Sequence, residues 1–181
     1  MRIRLYRFRI GALVLSLLSH EQQPPPLRPI EPEQMTAEKQ KTLDNMYAAA
    51  KRSFPGVPEI TAADLMAKLE AGAELVLVDV RQPQEQAVSM LPGAITAETF
   101  QQNAEQYEGK TVVPYCTIGG RSGMYAMKLK TKGWDVLNFA GSVLAWSLAG
   151  GDFECEGEAT NRVYVNAQKY ALVRDEHEAV F

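Results

Sequence analysis

Residues 75–80 read Leu-Val-Leu-Val-Asp-Val, too short for a free-standing helix and too uniformly apolar for a strand with one face in water. Such a strand needs apolar cover on both sides, as in a parallel sheet sandwiched between helices. The rest of the chain has the matching pattern. Residues 111–115 and 135–139 read as further strands, and the turn Leu91-Pro92-Gly93-Ala94 leads into a short one at Ile95. Helices are expected over 37–51, 62–71, 97–107, 121–132 and 143–148, with a short helical turn from Pro83. Thr36 and Thr61 stand where caps belong, the second reinforced by Asp64. Leu43, Met46, Tyr47 and Ala50 form one apolar face of the first helix, and Gly72, Gly109 and Gly133 act as stops. The expected fold is α/β, a parallel sheet with helices on both faces. Ligands of such sheets gather beyond the carboxyl ends of the strands, where Asp79 and Cys116 both fall.

The N-terminal region has a different character. Four arginines lie within residues 1–9, an apolar stretch fills 10–18, and prolines 24, 25, 26, 29 and 32 follow. The first nineteen residues read two ways: as a secretory signal, which exports the protein, or as an unprocessed extension ahead of a second start at Met35, which leaves it cytoplasmic or organellar. The apolar stretch is too short for a stable membrane span. Residues 1–34 thus form a leader-like extension with a proline-rich linker, 35–57 an N-terminal helix, 58–153 the α/β domain and 154–181 a C-terminal extension. In that extension residues 162–165 are suited to a strand and the last residues are expected to fray.

Charge and residue counts narrow the chemistry. The net charge is −3, and without residues 1–34 it is −5, from 14 basic and 19 acidic residues. That balance opposes nucleic-acid binding, which rests on clustered Lys and Arg. Two cysteines and two histidines without ligand spacing argue against a metal, and no motif calls for another cofactor.

Cys116 lies between an expected strand and an expected helix, in the run Cys116-Thr117-Ile118-Gly119-Gly120-Arg121-Ser122. The unpaired N–H groups and positive dipole end of the helix favour a thiolate, the reactive form of the side chain. Gly119 and Gly120 allow the turn to curl its amides inward around an anion, and Arg121 adds a fixed charge. The alternative readings are an inert buried thiol at Cys116 and a pairing of Arg121 with a helix carboxylate. Asp79 either bonds backbone amides of the loop or pairs with Arg81, in both cases as support. Trp134 and Trp146 read as core. Cys155, among Glu154, Glu156 and Glu158, reads as a bystander.

Asp79-Val80-Arg81, Glu85, Leu91-Pro92-Gly93-Ala94, Tyr115-Cys116 through Arg121-Ser122, Gly133-Trp134-Asp135-Val136 and Ala140-Gly141-Ser142 with Trp146 together resemble a single-domain rhodanese, over residues 58–153. The resemblance implies a rhodanese-like α/β fold and a sulfurtransferase. Cys116 would take a sulfane sulfur from a small anionic donor such as thiosulfate, carry it as a persulfide and pass it to a thiol or cyanide. It further implies that Thr117, Ile118, Gly119, Gly120, Arg121 and Ser122 bind the donor, with Asp79 and Arg81 supporting the loop.

Loop length separates this reading from a cysteine phosphatase or arsenate reductase. Arg121 follows Cys116 by five positions, whereas phosphatases place the arginine one position later around a phosphate-sized loop, and that position here is Ser122. A non-catalytic rhodanese-like module for binding or redox sensing is the other alternative. Ser89-Met90-Leu91 stands where many rhodaneses have Gly-His-Ile, and Thr117 stands where some have arginine, which weakens the expectation for thiosulfate itself.

Overall fold

The computed structural model describes residues 32–181. The leader and the linker up to residue 31 lie outside the described residues. The first helix, α1, spans Pro32–Lys51 and starts before the expected cap at Thr36, which is instead inside it. Proline is well tolerated in a first helical turn because its missing N–H has no partner there anyway, and Glu33 sits at the positive helix end. As expected, Leu43 and Tyr47 are buried on one face, with Met46 and Ala50 half-buried beside them.

The chain continues through β1 (Glu59–Ile60), α2 (Ala62–Glu70), β2 (Leu75–Asp79) and α3 (Pro83–Gln86). Then follow β3 (Ile95–Thr96), α4 (Ala97–Gln102), β4 (Thr111–Tyr115), α5 (Gly120–Thr131), β5 (Asn138–Phe139) and α6 (Ser142–Leu148). Thr61 caps α2, its Oγ1 accepting the Asp64 N–H at 3.2 Å.

Two expected elements are shorter. The helix over 97–107 breaks at Asn103, whose side-chain amide donates to the Thr99 carbonyl at 2.9 Å, and a 3₁₀ turn covers Ala104–Tyr107. Of residues 135–139 only Asn138 and Phe139 pair with β1, while Val136 makes an isolated bridge to Val112.

Strands β3, β2 and β4 pair in that order, all parallel, with Asp79 opposite Tyr115. The Val112–Val136 bridge joins this sheet to the parallel pair β5 and β1. Side chains alternate across it as a pleat requires. Leu77, Val113 and Tyr115 enter one core with Leu65 of α2 and Val143, Leu144 and Trp146 of α6. Val76, Val78 and Val112 enter the other with Phe100 of α4 and Ala126 and Leu129 of α5. Helix α1 contributes to both, through Leu43 and Tyr47.

Residues after α6 pack onto the same body. Strands β6 (Phe153–Cys155) and β7 (Glu158–Thr160) form a hairpin whose two turn residues, Glu156 and Gly157, have φ of 53° and 84°. Both values lie in the left-handed region that a tight hairpin turn requires. Strand β8 (Arg162–Tyr164) pairs in parallel with β9 (Glu178–Val180), so the expected fraying does not occur. Val163, Val165 and Val173 are buried in the first core and Ala179 of β9 packs against it, which anchors both strands. Among the described residues no helix is long and apolar enough to cross a membrane.

Candidate active site

Strand β4 delivers Cys116 to the carboxyl end of the sheet, and the chain turns directly into α5. Gly119 caps that helix with φ of 97°, a conformation that L side chains rarely adopt. Its N–H donates to Cys116 Sγ at 3.3 Å. The carbonyls of Cys116 and Thr117 point away, each accepting at 3.2 Å from Val143 and Leu144 at the start of α6. Cys116 N–H donates to Ser142 Oγ at 3.1 Å, and Ser142 donates in turn to the Phe139 carbonyl at 2.9 Å. Ser142 holds φ of 48°, a strained value for a residue with a side chain. Pinning the carbonyls outward leaves the first-turn N–H groups of α5, which have no acceptor within the helix, as donors for an anion.

A chain of hydrogen bonds backs the loop. Ser122 Oγ lies 3.7 Å from Cys116 Sγ and 2.7 Å from Asn138 Oδ1. The Asn138 amide nitrogen donates to the Gly119 carbonyl and to Tyr47 Oη, each at 3.1 Å. Because a carbonyl only accepts, the Gly119 contact fixes which way the Asn138 amide faces. The single Ser122 proton therefore serves either the sulfur or Asn138 Oδ1, and the shorter separation is to Asn138. Tyr47 donates onward to Glu59 Oε2 at 3.0 Å, and Lys51 pairs with the same carboxylate at 2.7 Å. Burial, reinforced by Glu59, pushes the Tyr47 phenol well above its ordinary range, so it stays a neutral donor.

The rim of the loop is polar and closed on itself. Arg121 donates from Nη1 to Glu85 Oε2 at 2.6 Å and from Nη2 to Glu85 Oε1 at 2.8 Å, with a further bond to Thr117 Oγ1 at 3.0 Å. Asn166, with φ of 66° just beyond β8, donates to Glu85 Oε1 at 3.1 Å and to Thr117 Oγ1 at 3.2 Å. Glu85 also accepts the Gln82 N–H at 2.9 Å, closing the first turn of α3. Burial pushes the Glu85 carboxyl up, but the hydrogen bonds from Arg121 and Gln82 and the charges of Arg121 and Arg81 outweigh it and hold it below the usual range. The hydrogen bond to Glu85 likewise raises Arg121.

Asp79 does not reach the loop amides. It pairs with Arg81, accepting from the Arg81 backbone N–H at 2.9 Å and from Nη2 at 2.7 Å, both side chains fully buried. Arg81 then donates to the Ser89 carbonyl at 2.5 Å and lies 5.8 Å from the centroid of Tyr115, the residue before the cysteine. The pair thus meets the cysteine segment through Tyr115 at the strand end.

Of the residues expected at the site, Thr117, Gly119, Arg121 and Ser122 converge on Cys116 or its rim. Ile118 packs against the first core, and Gly120 backs onto Ala50, whose Cβ would stand 3.4 Å from a Cβ added there. Cys116 itself is 1% exposed. Cys155 lies in β6 with its thiol on the Ala87 carbonyl, and His177 bonds Ser147 at 2.8 Å. Sequence reasoning missed Tyr47, Asn138 and Asn166, and it left Glu85 and Ser142 as motif positions without a role. Glu85 carried a signal: a carboxylate two positions after Pro83, in a short helical turn, is placed to cap it and leave an oxygen for a cation. The others come from distant segments whose approach no local pattern encodes.

Residues 61–149 match the family model described as a rhodanese-like domain. A Bacillus subtilis protein bearing a sulfurtransferase name is 32% identical over 93 residues, 50% of this chain and 90% of that relative. A protein of Allochromatium vinosum named sulfurtransferase is 33% identical over 98 residues, 52% of this chain and 92% of that protein. The solved structure of thiosulfate sulfurtransferase from Pseudomonas aeruginosa superposes with a TM-score of 0.54 at 25% identity, covering 65% of this chain and 23% of that one.

Proposed function

The chain belongs to the rhodanese-like domain family, and from that premise we propose that it is a sulfurtransferase that carries a sulfane sulfur as a persulfide on Cys116. The observation that carries this reading is the Gly119 N–H directed at Cys116 Sγ within a loop whose carbonyls are held outward. Donors facing the sulfur favour its anion and then the terminal sulfur of a persulfide, which is also an anion. Attack on a donor places one sulfur on Sγ, and a thiol or cyanide acceptor removes it in a second step, so ping-pong kinetics are expected. The helix N-terminus and Arg121 orient the donor, while Asp79 and Arg81 hold the strand end. Residues 58–153 supply the nucleophile and its loop, and the segment after 153 completes the rim through Asn166.

Intact mass after incubation with a sulfane donor tests the reading. The expected result is a gain of one sulfur that cyanide removes and that Cys116→Ser abolishes. No mass gain with thiosulfate or any thiosulfonate rules it out.

A further inference from the structure

The loop contributes one cation, Arg121, and its charge is already taken up. Glu85 meets it with both oxygens, the arrangement in which carboxylate and guanidinium match best. The Glu85 side chain is 1% exposed, so little water weakens its field. The next pair inward, Asp79 with Arg81, is also one to one and fully buried. Thr117 and Asn166 complete the rim and are neutral. Asn166 brings amide donors to Glu85 and Thr117 without bringing charge. The rim therefore presents oriented donors with no net positive charge.

Building on the sulfurtransferase reading, we propose that Glu85 and Asn166 are specificity-determining residues that make the rim discriminate against a doubly charged sulfur donor and favour a singly charged one, the class of thiosulfonates and organic persulfides. A second negative charge on the donor finds no unpaired cation at this rim, because Glu85 already neutralises Arg121, so its desolvation is less well compensated.

Thiosulfate and methanethiosulfonate isolate that charge, because both deliver the same atom by the same step. The Cys116 sulfur anion attacks the outer sulfur, forming the Cys116 S–S bond. The bond from that sulfur to the sulfonyl sulfur breaks with its electron pair, releasing sulfite from one donor and methanesulfinate from the other. The persulfide anion is common to both. The donors differ in a methyl group standing where thiosulfate has an oxygen anion.

The test compares kcat/KM for the two donors, with cyanide as acceptor, in the wild type, Glu85→Gln and Asn166→Arg. Taking the ratio of thiosulfate to methanethiosulfonate cancels intrinsic donor reactivity and any general loss of activity. In Glu85→Gln, which keeps the side-chain shape and removes the charge, the ratio is expected to rise about tenfold or more. It is also expected to rise in Asn166→Arg, which adds a cation at an exposed position and keeps the test open if Glu85→Gln loses its fold. A rise in either folded variant supports the proposal. A ratio within about twofold of wild type in every folded variant, with sulfur transfer retained, overturns the proposal and leaves the sulfurtransferase reading standing. No one-sulfur mass gain on the wild type from either donor overturns that reading, and this inference with it.

Discussion

The ring of Tyr47 lies against Gly119 so closely that a Cβ on the glycine would stand 2.6 Å from its Cε2. Tyr47 belongs to α1, outside the residues that match the family model, yet it forms the back wall of the cysteine loop. The same helix places Ala50 behind Gly120 and Leu43 beside Gly141. The loop is thus packed from behind by apolar surface and tied by the Asn138 amide.

Gly119→Ala suffers twice, from the φ of 97° and from the clash with Tyr47. The expected loss of stability is about 1–3 kcal/mol. Sulfur loading of Cys116 should slow in parallel, because the N–H at this position faces the sulfur. Urea unfolding and the rate of the one-sulfur mass gain are the measurements. A variant matching wild type in both would show that α1 does not press on the loop.

Tyr47→Phe keeps the ring and removes the hydroxyl that joins Asn138 to Glu59. Leaving the buried Asn138 N–H without that acceptor should cost about 1–2 kcal/mol. Tyr47→Ala also empties the space against Gly119 and should cost about 3 kcal/mol or more. Denaturant midpoints give the ordering, which fails if the two variants are equally stable.

Ser142 combines a strained φ of 48° with a hydroxyl that holds the Cys116 N–H. Ser142→Ala loses the hydroxyl and keeps the strain, whereas Ser142→Gly loses both. The glycine variant should be the more stable of the two by about 1 kcal/mol. An alanine variant equal to or more stable than the glycine variant would mean that the backbone strain at this position is negligible.

His177 gives the pH dependence. Burial lowers its pKa below the ordinary 6.5, with Arg174 acting the same way and Glu176 and Asp152 opposing. Between the ordinary and the depressed value the unfolded chain holds the extra proton, so stability falls as pH drops below about 6.5, until the folded histidine itself protonates. Unfolding free energies measured from pH 7 downward should show this slope, and His177→Asn should flatten it. A slope unchanged in the variant would assign it to other groups.

The sheet was legible because Leu75–Asp79 and Thr111–Tyr115 are local patterns whose meaning does not depend on what packs against them. The cysteine turn was legible for the same reason, since strand, cysteine and glycines are contiguous. What escaped was long-range. Asn138 is one of two residues in β5, and nothing in its neighbourhood signals that its amide spans Ser122, Gly119 and Tyr47. Asn166 sits in a segment with weak patterning, and its role depends on Val163 and Val165 anchoring β8 in the core. The start of α1 was misplaced because Thr36 is a good cap residue, but Pro32 and Glu33 begin a helix equally well.

The position of Asn166, eighty-one residues beyond Glu85, sets an order of assembly on a chain made from its N-terminus. Tyr47 leaves the ribosome before the cysteine does, so the residue that walls the loop is made before the loop. Asn166 emerges last of the rim residues. During synthesis there is an interval in which Tyr47, Glu85, Cys116 and Arg121 have all been made but the amide that spans Glu85 and Thr117 has not. Until the segment that carries Asn166 is made, the rim around Cys116 lacks its last donor.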